Sequence, residues 1–181
     1  MRHENLVIRG GRVENDVWQA LGVEPGEDLS TLPAGPIIFP FKLAAERIDE
    51  LLQRKDPLGL WFAPDDDPAD LAPRASRLVP RLSLIAVHFP KWGDGRGYSI
   101  GALLRTRFGW HGELRAFGEI GRDHLFYLAR CGFDAFALAP HRDPHAALAG
   151  LSDFSLAYQG AVDDPVPLFR KRSTLAAGGS R

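Results

Sequence analysis

Short apolar runs alternate with amphipathic stretches along most of the chain. The runs at 36–40, 58–62, 82–88, 114–117, 135–138 and 154–158 are short and rich in β-formers, which predicts strands. The run at 82–88 is nearly continuous in apolar residues, as a strand covered on both faces requires. Between them, Leu43, Ala44, Ile48, Leu51 and Leu52 recur at helical spacing and predict a helix over 43–53. Further helices are predicted at 68–71, at 100–108 with Ser99 as N-cap, at 122–131 closed by Gly132, and at 144–151. Ahead of this series, residues 5–17 alternate loosely around Gly10 and Gly11, the pattern of a hairpin, and 22–35 is a connector rich in proline, glycine and acid.

Strand, helix and strand spaced at roughly 20–30 residues predict parallel βα units. The fold class is therefore α/β, with an N-terminal β hairpin. Two architectures suit it: an open three-layer sheet with helices on both faces, or an incomplete barrel, since 181 residues fall short of the roughly 250 of a complete one. The open sheet is the preferred expectation. One domain is expected, with 1–35 as hairpin and connector, 36–170 as the βα body, and 171–181 as a basic, then small and polar tail expected to be disordered.

Composition narrows the function. A net charge of -1 argues against a dedicated nucleic-acid binder, which needs a basic excess. Cys131 is the only cysteine, so an internal disulfide is impossible. No Cys/His spacing suits zinc or an iron–sulfur cluster, no histidine pattern suits another metal, and no intrinsic cofactor is expected. Cys131 reads as a small buried hydrophobe. The first residues form no signal peptide, and no apolar run approaches the roughly 20 residues of a membrane helix. A cytoplasmic protein with no membrane partner is the expectation.

In parallel α/β folds, ligands bind beyond the carboxyl ends of the strands. Those ends collect Asp65, Asp66 and Asp67; then His88, Lys91, Asp94 and Arg96; then Glu119, Arg122, Asp123 and His124; then His141 and Arg142. The segment Gly93, Asp94, Gly95, Arg96, Gly97, leading through Tyr98 and Ser99 into a helix, stands out. Alternating glycines open the backbone to a ligand, and a helix N-terminus favours an anion. Arg96 can grip an oxyanion and Lys91 can add a charge. The competing reading is a plain connector turned by Asp94. Neither the dinucleotide fingerprint nor the P-loop ending is present.

Asp94, Glu119 and Asp123 are candidate acid–base carboxylates, with His124 as a possible partner; Asp123 could equally be a helix-start residue. Arg115 lies within an apolar strand and needs a partner, either Glu113 or Glu119 or a substrate anion, and Arg122 is a further candidate ligand. Arg105 either stays solvated or pairs with Glu113, and Tyr98 and Tyr127 are either site donors or core residues.

The segments 89–99, 103–105, 112–116, 122–127 and 130–136, with Tyr158, Gln159 and 167–170, resemble a bacterial domain family of unknown function. Its members are described as probable oxidoreductases, or accessory proteins, of sulfite reduction, after the sulfite reductase genes that accompany them. The resemblance runs from about residue 36 to 172 and implies a role beside sulfite reductase; with the glycine loop's chemistry it makes a small oxyanion (sulfite, sulfate or phosphate) the expected ligand, and an accessory needs no cofactor of its own, leaving open one borrowed from a partner. The alternative is an enzyme of sulfur metabolism or a barrel-like enzyme acting on a small anion. Three positions depart from the family pattern: Trp92 where phenylalanine is usual, Glu119 where an aspartate is expected, and His124 where a glutamine is expected. An open sheet edge also makes a homodimer an expectation.

Overall fold

The structure is a computed structural model and describes residues 5–171; the expected tail beyond Lys171 lies outside the described residues. It opens with β1 (Leu6–Arg9) and β2 (Arg12–Asn15), joined by Gly10 and Gly11 at φ 56° and 73°, the two left-handed positions of a tight hairpin turn. A two-residue strand β3 (Gln19–Ala20) follows, then the predicted connector, then β4 (Ile37–Pro40). The stretch expected as one helix at 43–53 divides into α1 (Phe41–Ala44) and α2 (Ile48–Gln53). Next come β5 (Leu58–Phe62), a 3-10 segment Pro68–Arg74, α3 (Ala75–Leu78) and a second 3-10 turn Val79–Arg81. Then follow β6 (Leu82–Phe89), α4 (Arg96–Thr106), β7 (Glu113–Gly118), α5 (Arg122–Arg130), β8 (Ala135–Ala137) and α6 (Pro144–Ala147), which runs into the 3-10 segment Leu148–Ser152, and a helical turn at 168–171 ends the described residues.

All strands join one eight-stranded sheet in the order β2-β1-β8-β7-β6-β5-β4-β3. From β3 to β8 the strands lie in chain order and pair in parallel, and β1 closes antiparallel on β8 through Ile8↔Phe136 and Arg9↔Ala135. The sheet is open, as expected, but because its strand order never reverses it curls into a half-barrel, the incomplete-barrel alternative rather than a three-layer sheet with helices on both faces. Right-handed crossovers in one direction place the helices on one face. Accordingly Phe41, Ala44, Leu51, Leu78, Ile100, Leu104, Leu125, Leu128 and Ala147 share one core with Phe39, Leu60, Ile85, Val87, Leu114 and Phe136. The concave face holds a second, smaller cluster of Ile38, Trp61, Leu84 and Ala86. It is covered by Trp18, Ala20 and Val23 of the N-terminal stretch, and the Trp61 indole donates to the Leu21 carbonyl at 2.8 Å. Helices thus cover one face and the N-terminal stretch the other.

The strand expected at 154–158 does not form. Its alternating Phe154, Leu156 and Tyr158 have the right period, but the edge of β8 they would need is already taken by β1. The stretch is irregular, and those three side chains are exposed.

Candidate functional site

β6 delivers the chain from the buried sheet at Phe89 into the exposed loop bearing Lys91 and Trp92. Asp94 then accepts from the Arg96 backbone N–H at 3.2 Å and from the Arg96 guanidinium at 3.0 and 2.7 Å. The Arg96 hydrogen bond, more than any other influence, holds the Asp94 carboxyl below its ordinary range, and Lys91 adds a smaller pull. The charge of Asp65, in the loop after β5, adds a small pull on Arg96.

α4 begins at Arg96 with Gly95 as N-cap, not at 100 with Ser99 as cap; Ser99 lies exposed in its first turn. The glycines act differently from expectation. Gly93 and Gly95 adopt no positive φ, and a Cβ at either would meet nothing. Gly97 is buried, and a Cβ there would sit 2.5 Å from the Phe89 ring. It lets the helix press onto β6. Tyr98 meets Phe89 edge-on at 5.6 Å; burial, with help from Cys131 and Asp123, pushes its hydroxyl up to about 12.

Trp92 ties this loop to the next two. His124, 8% exposed, accepts from the Gly121 N–H at Nδ1 (3.2 Å), which leaves its ring proton on Nε2, facing the Trp92 carbonyl at 3.1 Å. The Trp92 ring meets the His124 ring edge-on at 4.2 Å, and the Arg142 guanidinium lies over the indole at 4.9 Å. Asp123 lies 3.6 Å from His124 Nδ1, and exposed Arg122 pairs with Asp153 at 2.5 Å. The Glu119 N–H donates to the Phe89 carbonyl at 2.7 Å, just after Gly118 at φ 105°, where any Cβ would strike that same carbonyl. The loops after β6, β7 and β8 therefore form one rim holding Lys91, Asp94, Arg96, Glu119, Arg122, Asp123 and Arg142.

Arg115 lies apart from this rim. It projects from the first half of β7 on the concave face, 1% exposed, and bonds Asp16 at 2.7 Å and Glu113 at 2.9 Å. Its Nη2 is also 2.7 Å from Glu113, an ion contact without hydrogen-bond geometry. Arg9 joins through Glu113 at 2.8 Å. Of its two expected partners Glu113 is present and Glu119 is not; Asp16, from the N-terminal stretch, takes that place. Arg105 pairs with Asp134 (2.7 Å) rather than Glu113, and donates to the carbonyls of Trp110, Gly112 and Gly132.

Two strand-end polar groups, His88 and Arg142, have surroundings that the sequence does not show, and a groove appears that it does not signal. His88, on the concave face, stacks on Phe117 at 4.8 Å and meets Trp61 at 5.6 Å; burial pulls its pKa down, with Glu24 opposing. Arg142 becomes a site residue only through its stacking on Trp92. Finally, a groove of about 530 Å³ runs between α5 and the irregular stretch, lined by Phe126, Tyr127, Cys131, Phe154, Leu156 and Tyr158. Burial pushes the Cys131 thiol up, the opposite of nucleophilic activation. Asp66 lines a smaller acidic pocket with Lys42, and burial raises its carboxyl. Among the described residues no three His, Cys, Asp or Glu side chains could hold a metal ion, and no helix is long and apolar enough to cross a membrane.

No curated protein and no solved structure matches the chain. Residues 59–169, which include nearly all of β5, then β6 through β8 and the whole rim, match the model of the family described as bacterial protein of unknown function (DUF934), and the chain belongs to that family.

Proposed function

We propose that the chain serves assimilatory sulfite or sulfate reduction as an accessory to sulfite reductase, and that its rim holds a small oxyanion at the start of α4. The observation that carries the oxyanion site is the α4 N-terminus. Gly95 gives it no side-chain cap, and Arg96 and Lys91 stand beside it. Free N–H groups and the helix dipole favour an anion there. Asp94 acts as an internal stand-in, an oxyanion of the chain's own held by Arg96 in the two-pronged way an external sulfur or phosphorus oxyanion would be held. The link to sulfite reductase rests on the resemblance of the loop and helix motifs. The exposed apolar groove beside α5 gives such a protein a place for a partner.

The alternative is an enzyme acting on a small anion, with Asp94, Glu119 and Asp123 in acid–base roles. It requires Asp94 to leave Arg96 before that carboxylate can act. Deleting the gene in a strain fed only sulfate tests the accessory role. Sulfite reductase assembly and activity should fall and return with the wild-type chain. Normal assembly and activity in the deletion strain would refute it.

A further inference from the structure

β2 ends the sheet, and no strand covers its outer side among the described residues. The hydrogen-bond phase of the hairpin identifies the backbone groups that are free. The Asp16 N–H bonds the Asn5 carbonyl, and the register pairs Glu14 with Val7 and Arg12 with Arg9. Antiparallel bonding alternates, so residues 12 and 14 bond inward to β1, whereas Val13 and Asn15 direct their N–H and carbonyl groups outward. The opposite edge, β3, is only two residues long. Neither edge-blunting proline nor lysine occurs in β2.

We propose that a second copy of this chain pairs with β2, antiparallel about a two-fold axis at Val13. A symmetric pair must keep the outward groups in phase, which restricts the centre to a single residue of the strand. Centring on Arg12 sets Arg12 against Arg12, and centring on Glu14 sets Glu14 against Glu14. Centring on Asn15 sets Glu14 against Asp16. Only the Val13 centre places Arg12 of each copy opposite Glu14 of the other, twice, with Val13 exchanging both backbone bonds. Arg12 is exposed and makes no ion pair among the described residues, and Glu14 is exposed and, among the same residues, pairs only with Arg9 at 3.2 Å. The two half-barrel sheets then become one continuous sheet.

The test is sedimentation of the full chain. The wild type should be a dimer. Arg12→Glu and Glu14→Arg each set like charges across the axis, and each should dimerise at least about tenfold more weakly. Mixed in equal amounts, they should form a heterodimer, because the acidic pair on one variant's strand then faces the basic pair on the other's. Circular dichroism checks that both exposed variants stay folded. A monomeric wild type, single variants that dimerise like wild type, or a mixture that stays monomeric would each overturn the proposal.

Discussion

His124 occupies a position that needs one acceptor and one donor, and an imidazole with its proton on Nε2 supplies both. A glutamine amide, the residue that the sequence resemblance leads one to expect here, offers the same pair. His124→Gln should melt close to wild type. His124→Leu leaves the buried Gly121 N–H and the Trp92 carbonyl unpaired and should lose about 1–3 kcal/mol in urea unfolding. His88 is a different case. Its folded pKa lies below the unfolded value because burial disfavours the cation. The unfolded chain therefore binds more protons as the pH falls, so its contribution is intact above about pH 6.5 and declines below it. Melting curves recorded downward from neutral pH should show a steeper loss for wild type than for His88→Phe; parallel losses would exclude His88 as the cause. The sequence showed both histidines as strand-end polar groups. It could not show that one closes a loop and the other sits among aromatics, since Trp92 and Trp61 meet them only across the fold.

Among the elements, the parallel strands were the most legible, because β5, β6 and β7 are apolar at both parities or flanked by clear turns. The start of α4 was less so. Ser99 is a good cap chemically, yet the backbone turns four residues earlier, where Asp94 accepts from the Arg96 N–H. The glycine run looked like a flexible ligand cradle, but Gly97 is a packing glycine. Alanine there gains up to about 1 kcal/mol of helix propensity. It also drives a methyl into Phe89, itself 2% exposed and unable to yield. Overpacking of about 1–3 kcal/mol should prevail, so Gly97→Ala should lower stability, whereas Gly95→Ala, with open space around it, should not. The strand expected at 154–158 failed for a reason outside its own sequence: β1 holds the edge of β8.

For the whole molecule, the half-barrel leaves a concave face that helices do not cover, and the N-terminal stretch closes it. Arg115 anchors that closure by bonding Asp16 across 99 positions of chain. Arg115→Met would strand Asp16 and Glu113, 11% and 18% exposed, without their main cation. A loss of about 3–5 kcal/mol, read by urea unfolding, is expected. The alternation of strands and helices announced the α/β class, and the short length pointed away from a closed barrel. The sheet order and the covering of its inner face depend on contacts too distant in sequence for periodicity to carry. The same distance hid the rim, whose groups come from three loops and meet through Trp92. The central claim is that this rim holds an oxyanion, and titration calorimetry with sulfite, sulfate and phosphate tests it most directly. Wild type should bind at least one of them; Arg96→Ala should weaken binding roughly tenfold, about 1.4 kcal/mol, and Asp94→Asn, by releasing Arg96, should strengthen it. No heat of binding from any of the three anions to wild type, or equal binding by all three proteins, would contradict the account.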